Sequence, residues 1–194
     1  MTTMKKLIFA TNNAHKLEEV SAIIGDAFEL VTLREAGITE DIPENEPTIE
    51  GNALAKARYV WEKTGCDCFA DDTGLEVDAL GGAPGVHSAR YATDGHDFGA
   101  NREKLLREME GKTDRKARFR TVVALIEGGK ESCFEGIVEG EITTREIGEG
   151  GFGYDCLFLP EGYERTFAEL APEEKNAISH RGRAVTKLAK WLVQ

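Results

Sequence analysis

Lys6-Leu7-Ile8-Phe9-Ala10, followed at once by Thr11-Asn12-Asn13-Ala14-His15-Lys16, is the stretch that decides the fold. Its first five residues read as a buried strand. From His15 to Ile24 the apolar residues Leu17, Val20, Ile23 and Ile24 recur at helical spacing until Gly25 stops them. Strand, tight polar turn and helix together open an α/β unit. Such a turn lies under unpaired backbone N–H groups and the positive end of a helix dipole, a place that suits phosphate. Thr11 offers a hydroxyl, Asn12 or Asn13 an amide, and Lys16 a charge. The plainer alternative is that Asn13 caps the helix and Lys16 is a solvated surface charge. The turn is not a Walker A loop, because it lacks the glycines and the Gly-Lys-Ser/Thr ending.

Working outward, Phe28 to Leu33 reads as a second strand, and Arg34 to Pro47 as an acid-rich loop with Glu35, Glu40, Asp41, Glu44 and Glu46. Such loops are usually solvated. At the carboxyl edge of an α/β sheet they also supply metal carboxylates, and Glu44, stiffened by Pro43, is the candidate. Thr48 caps a helix that runs to about Lys63, with Ile49, Ala53, Leu54, Ala57, Val60 and Trp61 on its apolar face and Gly65 ending it. Asn52 and Lys56, four apart on this helix, are read as facing solvent rather than a site.

A third strand, Cys68-Phe69-Ala70, delivers Asp71-Asp72-Thr73-Gly74-Leu75. Adjacent carboxylates repel unless a cation or a proton sits beside them. Because successive strand residues face opposite ways, Asp72 is taken as the acid in the site and Asp71 as its support. A solvated strand-to-loop turn is the competing reading.

Further on, Gly81-Gly82-Ala83-Pro84-Gly85 predicts a tight irregular loop, and Arg90 reaches a phosphate, stacks on the neighbouring Tyr91 or pairs with a surface acid. Gly99 to Glu110 predicts a helix with Leu105, Leu106 and Met109 inward. Phe119 to Ile126, Glu131 to Glu139 and Glu141 to Arg145 predict a β-meander broken at Gly128-Gly129 and at Gly140. Gly148-Glu149-Gly150-Gly151-Phe152-Gly153-Tyr154-Asp155 joins four glycines, two aromatics and an acid. Its phenylalanine can stack on a base and its carboxylate can accept the N1–H of a 6-oxopurine. Alternatively it is a bend that packs Phe152 and Tyr154 into the core. The C-terminal helix turns Ala184, Leu188 and Leu192 inward. His180 and Arg181 stand at its start, where cations sit poorly against the dipole and point to an anionic or carbonyl-bearing partner. The fold class expected is α/β: a two-lobed single domain over residues 1–194, with the active site in the cleft between lobes.

Bulk properties narrow the function. A formal charge of −11 repels a polyanion, which disfavours extended nucleic-acid binding and leaves room for a small ligand in a local basic pocket. No apolar run is long enough to span a membrane, and Leu7 to Ala10 is too short for a signal-peptide core, so a cytoplasmic protein is expected. Cys66, Cys68, Cys133 and Cys156 lack zinc-site spacing and are read as packing thiols.

Taken together, Thr11 to Lys16, Ala70 to Leu75, Gly81 to Gly85 with Ser88-Ala89-Arg90-Tyr91, Gly150 to Asp155 and Ser179-His180-Arg181-Gly182 resemble the inosine/xanthosine triphosphate pyrophosphatase family. These house-cleaning enzymes hydrolyse ITP, dITP and XTP to the monophosphate and pyrophosphate. The resemblance runs from about Lys5 to Leu192. It implies a long mixed β-sheet flanked by helices, Mg²⁺ as cofactor, a nucleotide as the small-molecule partner, and a homodimer. Residue by residue, it implies that Thr11, Asn12, Asn13, Ala14, His15 and Lys16 hold the phosphates, with Lys16 also stabilising the leaving pyrophosphate. Asp72 would be catalytic base and metal ligand, Glu44 the second metal carboxylate with Glu46 and Glu50 as nearby alternatives, and Thr73 a substrate contact. Phe152, Gly153, Tyr154, Asp155, Lys175, His180 and Arg181 would recognise the base. This chain departs from the family at Asn12, where glycine is frequent, at Thr73, where serine is, and at Cys156, where proline is.

Overall fold

A computed structural model describes residues 3–194. Strand β1 (Lys6–Phe9) leads into helix α1 (Ala14–Ile24), whose N-cap is Asn13: its side-chain oxygen accepts the Lys16 backbone N–H at 3.2 Å. Strand β2 (Glu29–Thr32) and helix α2 (Ile49–Thr64) follow. Thr48 caps α2 by accepting the Gly51 N–H, and Gly65 closes it in the left-handed conformation. Both ends of α2 therefore form where the local sequence puts them. Strand β3 (Cys68–Val77), the short β4 (Pro84–Gly85), helix α3 (Phe98–Glu108), strands β5 (Lys116–Glu127), β6 (Lys130–Ile142) and β7 (Phe158–Pro160), and helices α4 (Pro172–Ile178) and α5 (His180–Leu192) complete the chain.

The seven strands make one mixed sheet in the order β2-β1-β3-β5-β6-β7, with β4 on β3. β1 pairs parallel with β2 and β3, while β3–β4 and β6–β7 are antiparallel. Two sequence expectations are corrected here. The acidic pair does not end a strand, because β3 runs on through it to Val77. Gly140 does not break the meander: a Cβ there would lie 2.4 Å from the Leu159 carbonyl oxygen and 2.6 Å from the Phe158 ring. The glycine lets β7 pair closely with an unbroken β6, Gly140 opposite Pro160.

The described residues form two compact units. The first comprises the described residues of Met1–Asp72 with Thr121–Gly136 and Arg181–Gln194, and the second Thr73–Arg120 with Ile137–His180. In the first, Leu7, Phe9, Phe69, Val123 and Leu125 pack against Val20 and Ile24 of α1 and Ala184, Val185 and Leu188 of α5. Strand alternation turns Cys68 and Ala70 the other way, and the Cys68 thiol donates to the Ala57 carbonyl of α2. In the second, Leu75, Val77, Phe119, Val138, Ile142 and Phe158 pack against Leu105 of α3 and Met109 at its C-cap. Of the four thiols read as packing groups, only Cys68 is fully buried; Cys66 and Cys133 are exposed. Among the described residues no helix is long and apolar enough to cross a membrane.

Candidate active site

The alternation that splits the strand's faces also splits its carboxylates. Asp71 continues the row of Phe69 toward α1 and α5, and Asp72 continues the row of Cys68 and Ala70 toward α2. On the first face, Lys16 Nζ donates to Asp71 Oδ1 at 3.1 Å and Arg181 Nε to Oδ2 at 3.0 Å, while Arg181 Nη1 also donates to Glu19. Asp71 and Arg181 are each about 1% exposed. This explains a cation at a helix start. The anionic partner of Arg181 is the chain's own Asp71 together with Glu19.

On the second face, Asn52 Nδ2 donates to Asp72 Oδ2 at 3.4 Å. Lys56 Nζ donates to the Asp71 carbonyl at 2.6 Å and to Glu44 Oε1 at 2.8 Å, and it lies 3.8 Å from Asp72 Oδ1. Asn52 and Lys56 therefore do not face solvent, contrary to the expectation from sequence. Both fall within the buried stripe Ile49, Asn52, Ala53, Lys56, Ala57 and Val60, and that stripe was the signal that could have placed them. Glu19 carried no such signal, because its partner lies 162 residues away.

These groups drive the two adjacent acids in opposite directions. Burial alone would raise Asp71, but Lys16, Arg181 and Lys56 outweigh it and hold the carboxyl well below its usual range. At Asp72 burial wins. Lys56 and Lys16 oppose it, Glu44 and Asp71 add to it, and the carboxyl is pushed up to about 6. Burial also pulls Lys16 down, with Asp71 opposing. Lys56 is raised instead, because Asp72, Glu44 and Asp71 together exceed the burial effect. Thr11 accepts the Asn13 N–H at 3.1 Å, and Asn12, Ala14 and His15 are exposed at the start of α1, whose first turn carries no acid. Thr73 follows Asp72 in β3, half-buried.

The remaining expected residues cluster in the second unit. Asp155 Oδ2 accepts the Phe152 N–H at 3.0 Å and the Lys175 ammonium at 2.7 Å, and that ammonium lies 4.9 Å over the Phe152 ring. Gly151 is required here, since a Cβ would sit 2.2 Å from Asp155 Oδ2 at a φ of +66°. Gly148 and Gly150 press against Ala168, so these glycines serve the loop's own closure. Tyr154 is buried with its hydroxyl donating to the Ser88 carbonyl at 2.6 Å, and burial pushes its phenol up. His180 stacks on Phe119 at 4.6 Å. Asn101, which nothing in the sequence singled out, donates to the carbonyl of Ala89 and accepts from the Ala92 N–H. Arg90 donates to His96 rather than stacking on Tyr91. Arg181 lies with Asp71 in the first unit rather than among this set.

The molecule is thus an α/β protein with a buried, cation-held carboxylate pair on one strand and an aromatic-glycine loop closed on an Asp–Lys pair. It belongs to the Ham1 family, whose model matches residues 7–191. The dITP/XTP pyrophosphatase of Porphyromonas gingivalis is 53% identical, across 98% of this chain and 98% of that protein. That of Flavobacterium johnsoniae is 50% identical, across 96% and 97%. The solved structure of a HAM1 protein from Coxiella burnetii superposes with a TM-score of 0.90 at 38% identity, across 98% of this chain and 99% of that one.

Proposed function

We propose that this chain hydrolyses non-standard purine nucleoside triphosphates, namely ITP, dITP and XTP, to the monophosphate and pyrophosphate. One observation carries the chemical part: two adjacent, buried carboxylates with opposite environments, one locked as an anion by Lys16 and Arg181 and the other poised at about 6 beside Lys56 and Glu44. That value holds for the metal-free site; beside a cation the Asp72 carboxyl falls and acts as a weaker base that orients the attacking water. Asp72 accepts a proton from the attacking water. The water oxygen bonds to the α-phosphorus, the bond to the α–β bridging oxygen breaks, and pyrophosphate leaves. Lys16 and the positive N-terminal end of α1 balance its charge.

The residues fit a magnesium ion. Asp72 and Glu44 already lie 3.8 and 2.8 Å from one positive charge, the Lys56 ammonium. Among the described residues no group of three or more His, Cys, Asp or Glu is arranged to hold a metal. Mg²⁺ commonly takes only one or two carboxylates and completes its shell with water and phosphate. Asp72 and Glu44 would hold it, and it would neutralise charge growing on the phosphate oxygens. Asn52 and Lys56 fix the orientation of those two carboxylates. Phe152 presents a stacking face for the base, with Gly153 and Tyr154 beside it. Asp155, Lys175 and His180 supply the hydrogen-bond polarity that prefers a 6-oxo group to a 6-amino group, while Arg181 is committed to Asp71 and Glu19. Buried donors that meet another donor are costly, about 1–3 kcal/mol each. One catalytic domain over residues 1–194, a homodimer and a cytoplasmic location belong to the same proposal.

The test is to incubate the protein with Mg²⁺ and a panel of ITP, XTP, dITP, GTP and ATP, scoring pyrophosphate against phosphate. Pyrophosphate from the first three at rates well above GTP and ATP is expected. Free phosphate would indicate a phosphomonoesterase, and binding without turnover a nucleotide sensor.

A further inference from the structure

Phe98 and Arg102 lie four residues apart on α3, hence on one face of it. Both touch the loop of Phe152. The Phe98 ring meets the Phe152 ring edge-on, with centroids 6.4 Å apart and planes at 72°. Arg102 Nη1 donates to the Gly153 carbonyl at 3.1 Å, and its Nε donates to Glu146. Gly153 has φ +60° and lies against Phe98, where even a Cβ would stand 3.9 Å from the ring. Phe152 is therefore clamped on both sides along the chain: its own N–H is held by Asp155, and the carbonyl of the next residue is held by Arg102. Its ring carries the Lys175 ammonium over it and makes an edge-type contact with the Phe98 ring.

We propose that Phe98 and Arg102 are positioning residues that set specificity for the purine base, by fixing the plane on which it stacks. This rests on the proposed base-stacking role of Phe152. The exposed Arg102–Glu146 pair contributes little by itself. The bond to the Gly153 carbonyl is charge-assisted and directional, so it sets the conformation of the loop. Neither residue touches the phosphates in this scheme, so their loss should be felt by substrates with a base and not by those without.

The experiment compares ITP with ribose 5-triphosphate, which carries the same phosphates and no base, in the full-length protein with Mg²⁺. In Arg102→Leu and in Phe98→Leu, the ratio of kcat/KM for ITP to that for ribose 5-triphosphate should fall about tenfold, the size of one charge-assisted hydrogen bond or ring contact. The loss should lie in KM for ITP more than in kcat, with partial recovery in Arg102→Lys. Arg58→Gln, at an exposed ion pair with Glu131, is the control. A parallel fall for both substrates would mean a merely structural role and would overturn the inference. So would an unchanged ratio in both α3 variants while Phe152→Leu lowers it. An unchanged ratio in Phe152→Leu itself would remove the underlying assignment of Phe152, and the inference with it. Melting curves identify a variant that fails to fold, and the two α3 substitutions test the proposal separately.

Discussion

Around Asp71 and Asp72, contacts join residues far apart in the chain, with Lys16 reaching 55 positions and Arg181 reaching 110, and nearly every partner carries a charge. The loop from Gly148 to Asp155 is closed partly by its own neighbours: Asp155 accepts from Phe152 three residues away and lies against Gly151. Its chemistry is aromatic and hydrogen-bonding, with one buried ion pair, Lys175 to Asp155. The difference matches the two halves of a nucleotide. Charge that moves during reaction calls for opposed, desolvated ions, while a base is told from its analogues by shape and by donor-acceptor polarity.

The comparison breaks most sharply at Asp72. Asp72→Asn removes the proton acceptor while keeping its shape, so kcat should fall about a thousandfold, within the range for a general base. Circular dichroism should show the fold intact, and activity near wild type would contradict the role. Next in size, Arg181→Ala leaves Asp71 buried with one cation fewer. Removing one partner of a buried pair costs roughly 3–5 kcal/mol, which chemical denaturation would register as a large drop in midpoint.

A smaller effect separates the neighbouring acids by pH. Asp72 has a folded value of about 6 against an ordinary 3.8, so the stability it contributes is present below 3.8 and lost as pH rises through 6. Asp71 is held below 3.8, so its contribution is present above that value and lost as pH falls below it. Without divalent cations, Asp72→Asn should therefore gain on wild type by about 2 kcal/mol between pH 4 and 7. Asp71→Asn should lie below wild type above pH 4 and close the gap as pH falls further. Parallel curves for both variants would show that the strand does not divide the two carboxylates. The smallest change belongs to the loop: Phe152→Leu should raise KM for ITP about tenfold with kcat nearly unchanged, the scale of one base–aromatic stack.

Much of the frame was legible in the sequence because its signals are local. Asn13, Thr48 and Gly65 cap α1 and α2 where their side chains or φ angles require it. The face division at Asp71 and Asp72 follows from strand alternation alone. What was illegible depended on partners distant in sequence. Asn52 and Lys56 look like surface residues by type, and partners from β3 and from Glu44 and Glu46 make their burial tolerable. Gly140 reads as a breaker until β7 lies against it. Glu19 acquires a role only when α5 brings Arg181 over α1. At Gly148 to Asp155 the glycines read as room for a ligand or as a bend, but Gly148, Gly150 and Gly151 are spent on Ala168 and Asp155 of the same chain.

The most direct test of the central claim is hydrolysis of ITP in ¹⁸O-labelled water with Mg²⁺, reading the label by mass spectrometry. Attack at the α-phosphorus directed by Asp72 predicts ¹⁸O in inosine monophosphate, none in pyrophosphate, and the signal lost in Asp72→Asn. Label in pyrophosphate or in free phosphate, or undiminished label in the variant, would contradict it.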